Sequence, residues 1–316
     1  MGYMRRKPFH GKSIVDIQET SNALKIMIRK WKQRILRDVF GSLYRPGHFY
    51  STIPNPDDYE ADLPALLNKT DPGLPGIDLN PEGQRQFLEK ALPYYSEAPF
   101  PYLKSDKLNY YYNNIYFVSP DAMSLYLILR SYKPKRVIEV GCGFSSAVII
   151  DTNRLFFREN IQCTFIDPFP DRLRWFLSES DSSNYSIVEK KVQEVPFEVF
   201  DQLEENDFLL IDSSHVSKLG SDVNYLFFNI LPRLKKGVVV HVHDVMYPFE
   251  YPIAWVEEKR FWNEAYLLRS FLTHNDAYEV VLFNSYMTIH HKPWLKQNMP
   301  ILGNAEGGSI YMVKTK

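Results

Sequence analysis

The stretch Arg136 to Ser146, RVIEVGCGFSS, constrains the fold of this chain more than any other. A β-branched run (Val137, Ile138, Val140) carries Glu139, meets Gly141-Cys142-Gly143, and passes into small residues that suit a helix start. A buried strand running through a tight glycine turn into a helix is how a parallel α/β sheet builds a nucleotide pocket. The glycines let the backbone approach a ligand closely, and the helix start offers unpaired N–H groups.

The surrounding pattern fits such a sheet. A helix is predicted over Ser119 to Tyr132, with Ser119 as cap and Pro120 at the first position. Then follow strand 136–141, helix 145–158, strand 162–167, helix 171–179, a short strand at 186–192, helix 196–204, strand 207–212, helix 221–234 and strand 237–243. Strands alternating with helices imply a parallel sheet covered on both faces. After Asp244 the rhythm changes to an aromatic loop, helix 262–274, strand 279–284, a long polar segment and a last strand at 309–314. Two closing strands without an evident crossover helix suggest an antiparallel edge pair.

The N-terminal part reads differently. Residues 22–40 form an expected helix with Leu24, Ile28, Trp31, Ile35 and Val39 on one stripe and Lys25, Arg29, Lys30, Lys32, Arg34 and Arg37 around it. Such a helix can dock on protein or lie on an anionic membrane. Residues 44–81 are rich in Pro, Asp, Asn and Gly and read as a connector. A short helix follows over Pro81 to Leu92, capped by Asn80. The expected division is an extension, 1–118, serving as lid or oligomer contact, and a nucleotide-binding domain, 119–316.

The 316 residues carry a formal net charge of −1, which gives no global footprint for nucleic acid. Cys142 and Cys163 are the only cysteines and read as reduced thiols of a cytoplasmic protein. The basic start lacks the apolar run of a signal peptide, and no stretch has the length of a membrane span. A 15% aromatic content exceeds what a core alone usually needs and points to a pocket or a homo-oligomer interface.

The glycine loop alone does not choose its nucleotide. The third glycine of G-x-G-x-x-G is replaced by Ser146, and that of G-x-G-x-G by Ser145. Glu139 favours S-adenosylmethionine, whose ammonium a carboxylate can accept from; a pyrophosphate gains nothing from a nearby acid. Asp167 closes the second strand, where a carboxylate can take both ribose hydroxyls. Gln193, just past the third strand, can face an adenine edge. The candidate cofactor contacts are therefore Glu139, Gly141, Cys142, Gly143, Ser145, Asp167 and Gln193. A hydride-transferring NAD enzyme on the same sheet is the rival reading, and a non-catalytic binding module at a membrane surface is a second.

The strings PGIDLN, IEVGCGFSSAV, TFIDPFPDRL, IDSSHVSKLGSDVNYLFFNILPRLKKG and HVHDVMYPFEYP resemble those of a bacterial group of class I S-adenosylmethionine-dependent methyltransferases, over roughly residues 45–290. The resemblance implies a Rossmann-like, seven-stranded, mostly parallel sheet. Two further clusters carry candidate chemistry: Asp212-Ser-Ser-His215 after the fourth strand and His241-Val-His243-Asp244 at the end of the fifth. In an open parallel sheet these ends lie side by side above the crevice. The arrangement is similar to metal-dependent O-methyltransferases acting on sugars of natural products, in which an Asp-x-x-His turn supplies a ligand and the base, and the next strand end supplies an acidic pair. Here that pair is His243-Asp244. The expected ligands of Mg²⁺ or another divalent cation are Asp212, His243 and Asp244, and His215 is the expected general base. Tyr110, Tyr111, Tyr112, Asn113 and Asn114 would suit a sugar or polyol acceptor, and at least one of Tyr247, Phe249 and Tyr251, which follow Asp244 directly, is expected to wall the pocket.

Overall fold

The computed structural model describes residues 24–316, apart from 33, 36–38, 40, 56–58, 61, 72 and 178–184. The chain divides into two units, Met1–Ala65 and Leu66–Lys316. In the first, residues 24–32 are helical and exposed all round. The remaining described parts of the 22–40 stripe, Ile35 and Val39, are also exposed.

The second unit holds a seven-stranded sheet. In chain order its elements are α1 (Pro81–Ser96), α2 (Ser119–Tyr132), β1 (Arg136–Val140), α3 (Phe144–Phe156), β2 (Gln162–Ile166), α4 (Asp171–Arg174), β3 (Tyr185–Val188), α5 (Phe197–Asp201), β4 (Phe208–Ile211) and α6 (Asp222–Tyr225). Then come β5 (Val239–Val242), α7 (Ile253–Glu257), α8 (Glu264–Leu272), β6 (Tyr278–Phe283), α9 (Asn284–His290), α10 (Lys292–Asn298), α11 (Pro300–Asn304) and β7 (Ile310–Lys314).

The strand order is β3-β2-β1-β4-β5-β7-β6. The first five strands are parallel, and β7 lies antiparallel between β5 and β6. The order reverses between β1 and β4, so a crevice opens at their carboxyl ends. Helices cover both faces, which is why β4 (FLLI) and β5 (VVHV) are buried at every position. His241 in β5 is wholly buried and stacks on Tyr311 at 4.6 Å. Burial holds it neutral, near 3, and neither ring nitrogen has a hydrogen-bond partner.

Several local expectations needed correction. Ser119 does not cap α2: it is the first helical residue, Val118 is the cap, and Asp121 and Ala122 donate to the Val118 carbonyl. Pro120 brings no N–H to satisfy, so no side-chain cap is required there. The helix expected over 221–234 keeps only one α turn, then passes through a π turn, Leu226–Ile230, and a 3-10 turn, Leu231–Arg233. Pro232 explains this, because its ring and missing N–H disrupt an α register. Helix 171–179 is helical only over Asp171–Arg174, and its end lies outside the described residues. The polar segment before β7 holds three short helices, two of them opened by a proline at the first or second position. Asn80 does cap α1, accepting from the Gly83 N–H at 3.2 Å.

Candidate active site

The glycine turn is shaped by the neighbouring strand end. Gly141 has φ +82°, and a Cβ built there would lie 1.8 Å from the Asp212 carbonyl oxygen. Only glycine permits this approach. Three backbone bonds tie the strand ends together: Gly141 N–H to Ile166 O, Asp212 N–H to Val140 O, and His243 N–H to Ile211 O, each 2.9–3.0 Å.

Glu139 lies beneath the turn and is fully buried. Its two oxygens accept from the Ser145 and Ser146 hydroxyls at 2.5 and 2.6 Å. Ser146 Oγ in turn accepts from the Gly143 N–H at 3.0 Å. Burial lifts the Glu139 carboxyl to about 8 despite both hydroxyls. The carboxylate that the sequence aims at a ligand ammonium is thus engaged with the loop in this structure. Asp167 accepts from the Cys142 N–H at 2.9 Å and from the Phe169 N–H at 2.7 Å. Both cysteines are free, and burial raises both thiols.

A cleft of about 450 Å³ opens above these strand ends. Gly141, Asp167, Gln193, Asp212 and Asp222 are among the residues lining it. Gln193 donates to the Gly220 carbonyl at 2.9 Å. A larger cavity, about 600 Å³, lies beside the amino end of β6, between the Gly76–Asn80 turn and His274–Glu279. None of the candidate residues lines it.

His215, His243 and Asp244 converge on Asp212, which lines the cleft. His215 Nε2 lies 3.4 Å from Asp212 Oδ1 and 3.5 Å from Asp244 Oδ2. His243 Nδ1 lies 3.5 Å from Asp212 Oδ1 and 3.5 Å from Asp244 Oδ1. His215 and Asp244 both adopt left-handed backbone, φ +59° and +56°, conformations that cost energy in residues other than glycine.

Two acids that the sequence did not single out complete the cluster. Glu264, at the start of α8, is buried and holds His215 Nδ1 at 2.9 Å through Oε2. Its Oε1 accepts from Ser213 Oγ at 3.0 Å, and its backbone N–H donates to the His215 carbonyl. Asp121, buried in α2, lies 3.6 Å from His243 Nε2. Neither sits in a motif: each is one acid on a helix, linked to the site only by tertiary folding.

The charge balance is lopsided. Four carboxylates (Asp121, Asp212, Asp244, Glu264) face two imidazoles, so acids are in excess even with both imidazoles protonated. Burial pulls the His215 pKa down, but Asp212 and Glu264 outweigh it and lift it to about 10. Burial likewise opposes a charged His243, and Asp244, Asp212 and Asp121 outweigh it. Burial works against Asp212 ionising, yet the two imidazoles hold its pKa well below the usual carboxylate range. Burial raises Asp244 and Glu264.

These separations bear on metal binding. Charge-assisted hydrogen bonds run at about 2.7–2.9 Å, whereas the imidazole–carboxylate gaps around Asp212 and Asp244 are 3.4–3.5 Å. Donors about 2.0–2.2 Å from one cation lie about 3.0–3.5 Å apart. Asp212, His215 and Asp244 each offer an atom within 4.8 Å of the others, and the nitrogens of buried His243 lack hydrogen-bond partners. The donor set suits a divalent cation.

The aromatic residues are placed unevenly. Tyr110 is buried, its hydroxyl donating to the Phe117 carbonyl and its N–H to Asp151. Asn114 caps the same turn. Tyr247 and Phe249 pack into the core against Phe283, and so are not pocket walls, because an apolar neighbour covers each ring. Tyr251 is buried too, but its ring touches Trp262, which stands 4.4 Å from the His215 ring. Phe117 packs on His243 at 5.0 Å.

Residues 138–245 match a family model described as a methyltransferase domain. An uncharacterized protein from Archaeoglobus fulgidus is 35% identical over 191 residues, spanning 57% of this chain and 85% of that protein. Solved structures similar to the chain include the O-methyltransferase TomG from Streptomyces achromogenes, involved in tomaymycin synthesis and in complex with SAM. It is 16% identical, covers 82% of this chain and 96% of its own, and has a TM-score of 0.40. An O-methyltransferase from Bacillus cereus in complex with SAH is 12% identical, covers 82% and 97%, and has a TM-score of 0.41.

Proposed function

This chain belongs to the class I S-adenosylmethionine-dependent methyltransferase family, and we propose that it methylates a hydroxyl of a sugar or polyhydroxylated small molecule. The observation that carries this reading is the His215 imidazole, fixed at Nδ1 by Glu264 and facing Asp212 and Asp244 with Nε2. In its neutral form, which gains population as pH rises toward the raised His215 value of about 10, this imidazole can take a proton from an acceptor oxygen, so the rate should climb with pH on the alkaline side. As that oxygen bonds to the methyl carbon, the carbon–sulfur bond breaks, S-adenosylhomocysteine leaves, and the proton passes to Nε2.

The cleft residues take the donor. The turn Gly141-Cys142-Gly143 lets the backbone come close, Asp167 binds the ribose hydroxyls, and Gln193 faces the adenine edge. Glu139 acts on the donor's ammonium side through Ser145 and the loop that it braces. Asp212 and Asp244 would hold a divalent cation with His243 as third donor; His215, which lies within reach of the same two acids, is kept as the base. When bound, such a cation lowers the pKa of an acceptor hydroxyl and orients it. An imidazole in that set shifts preference from Mg²⁺ toward Mn²⁺, Fe²⁺ or Zn²⁺. Residues 119–316 would carry the reaction, with the part of 1–118 that lies outside the basic helix as lid or oligomer contact.

The NAD reading is not favoured. A pyrophosphate at the loop would compete with Asp167 for the Cys142 N–H and with Ser146 for the Gly143 N–H. The test is S-adenosylhomocysteine release from a panel of glycosides, with and without EDTA, beside calorimetric titration with S-adenosylmethionine and NADH. The reading expects donor binding, turnover on at least one polyol and loss of rate with EDTA. NADH binding without S-adenosylmethionine binding would overturn it.

A further inference from the structure

We propose that the helix at residues 24–32, together with the exposed Ile35 and Val39 that follow it, forms a docking surface for an anionic lipid bilayer. At 100° per residue, Leu24, Ile28 and Trp31 fall within one arc of about 60°, and Ile35 and Val39 keep the same i, i+4 spacing in the sequence. Lys25 and Lys32 border that arc on one side and Lys30 and Arg34 on the other, and no acid occurs between Leu24 and Arg37.

The structure leaves that apolar stripe in solvent. Trp31 is 67% exposed, Val39 66%, Ile28 53% and Leu24 52%. An apolar stripe this continuous is costly in water and marks an interaction surface. The flanking charges decide what it meets. Long basic side chains beside an apolar face can lay their stems along it and raise their heads to a negatively charged plane. The indole is an interface-seeking ring, apolar in body and polar at its N–H. A protein core offers no such plane of negative charge on both sides of the stripe, whereas a bilayer containing anionic headgroups does. Among the described residues no helix is long and apolar enough to cross a membrane, so the contact is with the surface.

The test uses the full chain with vesicles of phosphatidylcholine alone or mixed with phosphatidylglycerol, at about 0.1 M and about 1 M salt. Co-sedimentation is expected only with the mixed vesicles at low salt. Replacing Lys25, Lys30 and Lys32 by Glu should abolish it, since each basic residue near such a surface changes partitioning about fivefold. Trp31→Phe should keep the binding but remove the blue shift of tryptophan emission, which assigns the contact to this helix. Donor binding by calorimetry, measured on each variant, shows that the rest of the chain remains folded. Equal binding to neutral vesicles, binding that survives the triple Lys→Glu change, or no binding would overturn the proposal. So would a dimer in sedimentation velocity that Trp31→Glu dissolves, because the stripe would then be covered by a second copy.

Discussion

Gly141 shows how one residue couples two strand ends. With φ +82° and the Asp212 carbonyl where a Cβ would go, alanine at this position must push the turn off β4. Gly141→Ala should therefore abolish donor binding in calorimetry while leaving a folded protein by circular dichroism. Glu264 acts by holding another residue. Glu264→Gln keeps the shape but removes the charge that fixes His215 Nδ1, and kcat should fall about 10²-fold or more while KM for the donor stays unchanged. A rate within twofold of the parent protein would show that His215 needs no such support. Glu139 gives a pH signature. Its carboxyl titrates near 4.5 when unfolded and at about 8 when folded. Between those values the folded protein holds a proton that the unfolded chain has released, so this term favours the fold below about 4.5 and is lost as pH rises through about 8. Urea midpoints should drop from about pH 5 to about pH 8, and Glu139→Gln should flatten that drop.

At the scale of elements, what holds the site is the buried sheet beneath it. β4 lies between β1 and β5, and Leu210 within it is wholly buried. Leu210→Ala should cost about 2–5 kcal/mol in denaturant titration, because the flanking strands cannot close on the cavity. The strands and the covering helices were legible because β-branched runs and glycine turns are local signals. The end of the 221–234 helix was less so: Pro232 makes its register change visible only once neighbouring packing is known. The helices between β6 and β7 were hidden because each is shorter than two turns plus a cap and shows no sustained period, and tertiary burial of Ser285, Tyr286 and Leu295 stabilises them rather than propensity.

Across the whole molecule, the two strand-end clusters were readable because topology dictates where parallel strands end. Asp212, His215, His243 and Asp244 do meet, although the two pairs lie far apart in sequence. Asp121 and Glu264 were not readable, since a lone acid on a helix has no pattern until the helix is docked. The aromatic residues after Asp244 divide for a related reason: the loop turns Tyr247 and Phe249 into the core, while Tyr251 packs on Trp262 beside His215. The central claim is that His215, held by Glu264 beside Asp212 and Asp244, removes the proton from a hydroxyl acceptor. It is tested most directly by single-turnover S-adenosylhomocysteine formation, comparing the parent chain with His215→Ala on one accepted polyol at saturating donor. The account predicts unchanged donor binding and a rate lower by about 10²–10⁴-fold. An unchanged rate with unchanged donor binding would contradict it.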